Sequence, residues 1–192
     1  MKSVHCLFIG AAIVLLAAIP VQSQDKSGSS LPDDKRRQAL PVMNLGNHML
    51  LTGNLKMAVQ KFEQAIEIDP SFDKAYHNLG DAYLKLNDYE KALQAHQKAI
   101  ELNPSSLNYL SLGKTYVKKQ NLAEAEKAFR KSVQLEPSSS PANLELGDFL
   151  RKKGNFDEAK PFLLKAQANL GSIKSDGVER ALQMCEQRDK SE

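Results

Sequence analysis

The stretch Ala75-Tyr76-His77-Asn78-Leu79-Gly80-Asp81-Ala82-Tyr83 decides how this chain folds, because its Leu79-Gly80 pair returns as Leu45-Gly46, Leu112-Gly113 and Leu146-Gly147. The pairs recur with a near-constant period of about 34 residues. Further columns keep the same register: Ala58, Ala92, Ala125 and Ala159; then Phe62, His96, Phe129 and Leu163; then Pro70, Pro104 and Pro137, with Gly171 in the fourth unit. A fixed period in this range marks supersecondary units that bury their apolar faces only by stacking on one another. Such a chain makes a surface, which points to binding.

Each unit reads as two helices. In the second, Tyr76, Leu79, Gly80 and Tyr83 form one stripe at helical spacing, and Ala92, His96 and Ala99 form another. Asn54, Asp88, Asn121 and Asn155 separate the two runs at one register, and Asn and Asp are the residues best suited to accept the open N–H groups of a helix start. Ser140-Pro141 reads as a cap followed by proline at the first helical position, and Pro70, Pro104 and Pro137 stop the preceding helix. One residue is missing between Pro104 and Gly113, so the connection into the third unit is tighter. Glycine inside a helix costs about 1 kcal/mol relative to alanine. Four such glycines in register require close approach of the paired helix, with Ala58, Ala92, Ala125 and Ala159 expected opposite them. Pro161 falls inside the fourth unit's second helix, where it is expected to bend it.

These residues resemble the tetratricopeptide repeat pattern, a helical hairpin of about 34 residues in which a bulky residue, Leu-Gly, an aromatic, Ala, Phe and Pro recur. The resemblance implies an all-α solenoid of four helix-turn-helix hairpins (39–72, 73–105, 106–139 and 140–173), closed by a capping helix and tail over 174–192. The capping stripe is Val178, Ala181, Leu182 and Cys185, following Ser175-Asp176. In this fold one stripe of each first helix lines a concave groove. Here the protein-binding candidates are Met43 and Asn47; Lys74, His77, Asn78 and Asp81; Leu107, Leu110, Lys114 and Val117; and Leu144, Asp148 and Arg151, with Leu40, Leu50, Leu84 and Pro141 on the same stripes. An apolar floor with polar flanks suits an extended peptide or an amphipathic helix. Packing of Leu40, Leu50 and Leu84 against neighbouring repeats is the competing reading.

Family members that grip the acidic C-terminus of cytosolic chaperones use two asparagines and three basic side chains. Asn47 and Asn78 match the asparagines, but Met43, Leu107 and Ser111 stand where cations are required, so that role is rejected.

Outside the repeats, Lys2 precedes an apolar run from Cys6 to Ile19, then Pro20 and Ser23. This is the layout of a secretory signal peptide over 1–23, cleaved after Ser23. The run is shorter than the roughly 20 residues a spanning helix needs. An uncleaved N-terminal anchor is the alternative. Removal of this leader leaves a chain with a near-even charge balance, compared with +3 for the whole. Residues 24–38, with Ser27, Gly28, Ser29, Ser30 and Pro32, read as a flexible tether. The basic cluster Lys35-Arg36-Arg37 follows Asp33-Asp34 directly and reads as solvated linker, so no nucleic-acid partner is expected. Cys185 is the one cysteine after the leader and shares an apolar stripe, which predicts burial.

No catalytic residue, metal site or cofactor is expected. The ten glycines all have structural places, and there is no Gly-x-Ser-x-Gly, His-Glu-x-x-His or Cys-x-x-Cys. Two functions follow. One is a secreted or periplasmic adaptor that holds a protein segment in its groove. The other is a structural subunit of an envelope or secretory assembly, associating through its convex face or end to end. A third, enzymatic reading requires turnover that depends on a groove residue such as His77 or Asp81.

Overall fold

The computed structural model describes residues 32–169 and 176–189. Among them, eight helices pair into four hairpins: α1 (Pro32–Leu51) with α2 (Leu55–Ile68), α3 (Asp73–Lys85) with α4 (Tyr89–Leu102), α5 (Ser106–Lys118) with α6 (Leu122–Leu135), and α7 (Ser140–Lys152) with α8 (Phe156–Asn169). A ninth, α9 (Asp176–Asp189), packs on the last hairpin. Each helix touches its hairpin partner and the next helix along the chain, and α1, α3, α5 and α7 also touch in series. The array is an all-α solenoid. The expected leader and its cleavage point lie outside the described residues, as do residues 24–31 of the expected tether and Gly171. No described helix is long and apolar enough to cross a membrane.

The hairpin turns explain the columns at 54, 88, 121 and 155. Two residues beyond the end of each first helix the backbone takes a positive φ: Gly53 at 81°, Asn87 at 62°, Gln120 at 62° and Gly154 at 88°. The amide of the following residue reaches back to Met49, Tyr83, Tyr116 or Leu150, closing a left-handed C-terminal cap. That same following residue then starts the second helix. Asp88 accepts from the Lys91 amide and Asn121 from the Glu124 amide, whereas Asn54 makes no such bond and donates its Nδ2 to the Thr52 hydroxyl instead. For α7 the cap is Ser139, one residue before the expected Ser140, and it makes no side-chain bond.

The four in-register glycines are close-approach positions, but their partners differ from those expected. A Cβ on Gly46 would fall 2.6 Å from the Phe62 ring, on Gly80 2.5 Å from His96, on Gly113 2.5 Å from Phe129, and on Gly147 2.8 Å from Leu163. The large residue one turn after each small alanine is what lies over the glycine. Ala58, Ala92, Ala125 and Ala159 are fully buried, and of them Ala159 also meets its glycine, its carbonyl oxygen 3.3 Å from a Cβ on Gly147. α8 runs through Pro161 and α1 through Pro41, each an internal proline in a continuous helix.

The tether expectation is overturned over 32–38, which form the first two turns of α1. Composition there lacks the apolar content to pack, so the anchor is polar. Arg36 donates to the Asp69 carboxylate and, at 3.0 Å, to the Ser71 carbonyl, and its guanidinium lies 4.2 Å from the Phe72 ring centroid. Asp69 is buried at the end of α2 and also accepts from the Ser71 amide and hydroxyl. Burial pushes its carboxyl up, but the hydrogen bonds from Ser71 and Arg36 outweigh that and hold it below the usual range.

The missing residue before the third unit leaves three residues between α4 and α5, against four in the other connections between hairpins. Asn108 ties this short link down, donating to the Asn103 carbonyl at 2.8 Å. At the far end, Ala181, Leu182 and Cys185 of α9 are buried in the cluster that contains Phe129, Leu146 and Leu163.

Candidate functional site

The first helices place their inner stripe in series along one face, and the expected groove residues divide into three groups there. Met43, His77 and Leu110 are buried and belong to the packing between helices, so they are not available to a ligand. Met43 joins the cluster of the first two hairpins and Leu110 that of the last two. Asn47 and Asn78 engage each other, with the Asn78 amide donating to Asn47 Oδ1 at 2.8 Å. Lys74, Leu107 and Val117 are exposed, and Asp81, Lys114, Leu144, Asp148 and Arg151 are half-buried. A helical stripe read from sequence gives direction but not crossing angle, and it is the crossing that buries Met43 and Leu110.

The exposed part of this face holds a hollow between α5 and α7. A cavity of about 370 Å³ is lined by Leu84, Val117, Phe129 and Phe149, with Lys114, Lys118, Lys152, Glu145 and Asp148 at its rim. Of these, Leu84, Lys114, Val117 and Asp148 lie on the stripes that the sequence reading assigns to the groove. Phe149 and Glu145 sit beside the expected stripe on α7, and Phe129 reaches the floor from α6. Lys118 and Lys152 could have been found from register, since Lys85, Lys118 and Lys152 hold one position in successive repeats.

The rim charges are largely paired. Lys114 meets Glu145 at 2.8 Å, and Lys152 meets Asp148 at 2.6 Å. Arg151 also holds Asp148 and reaches the Met184 sulfur of α9 at 3.3 Å. Burial raises the Asp148 carboxyl, but Lys152 and Arg151 together bring it below its ordinary value. Asp148 is therefore an ionised fixture of the wall.

A second polar feature lies deeper, where α3, α4 and α5 meet. Asp81 faces His77 Nε2 at 3.5 Å and His96 Nε2 at 3.7 Å, separations too long for hydrogen bonds, and the two imidazoles meet edge-on with centroids 5.7 Å apart. Desolvation pushes the Asp81 carboxyl up against the opposing pull of His77, Lys114, Lys85 and the Ser111 hydroxyl. His96 is fully buried, neither ring nitrogen has a hydrogen-bond partner, and burial with the neighbouring His77 drives its pKa down to about 3. This buried neutral imidazole takes the place over a glycine that Phe62 and Phe129 take in their own hairpins, and it is a poor base. Among the described residues, no three His, Cys, Asp or Glu side chains are placed to hold a metal ion. The cluster is part of the packing, with Asp81 its half-exposed edge toward the groove.

Three family models match the chain: a TPR repeat over 46–87, a tetratricopeptide repeat over 73–106, and a further tetratricopeptide repeat over 116–170. No curated protein sequence matches it. Among solved structures, the thermophilic TPR protein TTC0263 of Thermus thermophilus aligns with a TM-score of 0.65 at 21% identity, covering 79% of this chain and 82% of that one. MamA aligns with a TM-score of 0.61 at 23% identity, covering 73% of this chain and 95% of that one. The first TPR of Spaghetti (RPAP3), bound to the HSP90 peptide SRMEEVD, aligns with a TM-score of 0.58 at 25% identity, covering 62% of this chain and 95% of that one.

Proposed function

The chain belongs to the tetratricopeptide repeat family, and we propose that it is a non-enzymatic adaptor that holds an amphipathic peptide or helix of a protein partner against its first-helix face, in a secretory or periplasmic compartment. The observation that carries this is the cavity between α5 and α7, whose floor of Leu84, Val117 and Phe149 is roomy enough for one large apolar side chain and whose rim is charged. RPAP3, similar in fold, has been solved with a peptide bound, which supports a peptide as the class of ligand here. The compartment rests on the leader-like layout of residues 1–23 alone.

The test targets side chains that do not hold the fold together. Val117→Lys and Leu107→Asp alter exposed groove residues, whereas Leu110→Asp would break the core. The protein and each variant are immobilised, exposed to extract from the compartment in which the chain accumulates, and the retained chains identified. A partner retained by the parent protein and lost by both variants supports the groove. Retention that is indifferent to both variants refutes it and favours the convex face.

A further inference from the structure

We propose that the peptide bond between Arg37 and Gln38 in α1 is a cleavage site for an arginine-directed endoprotease, which severs the four-hairpin array from the residues ahead of it.

The cluster Lys35-Arg36-Arg37 holds the chain's only pair of adjacent arginines. A protease of this class seats one guanidinium against a carboxylate at the foot of its primary pocket. The two arginines differ in what they offer it. Arg36 is engaged with Asp69, the Ser71 carbonyl and the Phe72 ring, whereas the Arg37 side chain is 79% exposed and meets Asp34 of its own helix at 3.6 Å. Arg37 is therefore the residue such a pocket can take. Arg130 and Arg151, by contrast, are held in ion pairs on helices packed inside the array.

A protease binds its substrate extended, so α1 must first unwind around the bond, and the structure confines that opening to its first turns. Pro41 carries no N–H, so the Arg37 carbonyl lacks the amide that would bond it four residues on. Between Asp33 and Pro41 the one buried side chain is Ala39, and Leu40 beside it is 43% exposed. Unwinding through Pro41 thus gives up little packing. What opposes it is Arg36, whose bonds to Asp69 and Ser71 strap these turns to the end of α2. Local opening precedes cleavage, and the rate of cutting follows the population of the opened form. The step is hydrolysis: water adds across the Arg37–Gln38 amide, leaving a carboxylate on Arg37 and an amine on Gln38. The product begins at Gln38 and keeps Ala39, Met43 and the rest of the first two hairpins' core.

The experiment exposes the full chain, folded, to a catalytic amount of an arginine-specific endoprotease and follows the fragments by intact mass. The parent should give an early product that starts at Gln38, ahead of any cut at Arg130 or Arg151. Two variants change the opening and leave Arg37 in place. Arg36→Ala removes a basic residue from the cluster, yet it should be cut about tenfold faster, because a charge-assisted strap is lost. Pro41→Ala supplies the missing amide and should be cut at least about threefold slower. In Arg37→Gln the product that starts at Gln38 should disappear. A first cut within the hairpins, an Arg36→Ala variant cut no faster than the parent, or a Pro41→Ala variant cut no slower overturns the proposal. The chain isolated from the cells that make it should include a form beginning at Gln38, and a wholly uncut population overturns the proposal as well.

Discussion

His96 occupies the place of Phe62 and Phe129 against a glycine, and replacing it by phenylalanine separates shape from charge. His96 lies on its glycine as closely as the two phenyl rings lie on theirs: the nearest atom to a Cβ built on the facing glycine is at 2.5 Å for His96 and at 2.6 and 2.5 Å for Phe62 and Phe129. At neutral pH His96→Phe removes a buried imidazole whose two nitrogens lack partners, a cost of about 1–3 kcal/mol. Acid should widen the gap. A histidine whose folded pKa is about 3 against an ordinary 6.5 binds its proton more readily in the unfolded chain, so stability falls as pH drops through 6.5 and the loss levels off below the folded value. At about 1.36 kcal/mol per unit, the loss from this one group is about 2 kcal/mol by about pH 5 and on the order of 5 kcal/mol below about pH 3. Asp81, whose folded pKa is raised by burial, runs the opposite way and blunts the loss at the acid end. The assay is urea unfolding followed by far-UV circular dichroism at matched pH values from about 7.5 to 5, for the parent and His96→Phe. The expected result is a variant more stable at neutral pH, with a lead that grows by about 2 kcal/mol on acidification. Parallel pH curves, or a variant less stable at neutral pH, would refute the reading of His96 as an unpartnered neutral core residue.

Three further substitutions test the fold. Gly113→Ala, which in an unhindered helix would gain about 1 kcal/mol, should destabilise by about 1–3 kcal/mol, because its Cβ would press into the Phe129 ring; chemical denaturation reads the sign. Gln120→Gly should raise stability by about 1 kcal/mol, since Gln120 sits at φ 62° where the first and fourth hairpins already have glycine; a loss would mean that its side chain holds the turn. Arg36→Ala removes the one cation bonded to the buried Asp69 carboxylate, leaving it the Ser71 amide and hydroxyl, and should cost about 1–3 kcal/mol. Because Asp69 has a lowered folded pKa, its stabilisation is present above the ordinary carboxylate range and lost as pH falls through it. Acid unfolding of the Arg36→Ala variant should therefore show a shallower loss than the parent across that range.

Much of the site was legible as a pattern and not as a surface. The stripe at 107, 110, 114 and 117 lies on α5 as helical spacing requires, yet Leu110 turns into the packing while Leu107 and Val117 remain exposed. The difference is set by how α5 crosses α6 and α7, and spacing within one helix carries no information about that crossing. The same limit explains the glycines. Their need for close approach follows from their cost in a helix, but naming Phe62, His96, Phe129 and Leu163 as what lies over them takes the interhelical geometry. Residues 32–38 failed for another reason. Their anchor is an arginine that reaches from the first helix to Asp69 at the end of the second, and long-range polar pairing leaves no periodic trace.

The sequence by itself determined the number of hairpins, where each helix turns back, and that the product is a stacked array, because period, caps and breakers act locally and repeat. Tertiary structure alone decided which apolar side chains face solvent, which side chain lies over each in-register glycine, and that His96 is buried with neither ring nitrogen partnered. These depend on which surfaces meet across helices, and burial, desolvation and pairing exist only once they have met.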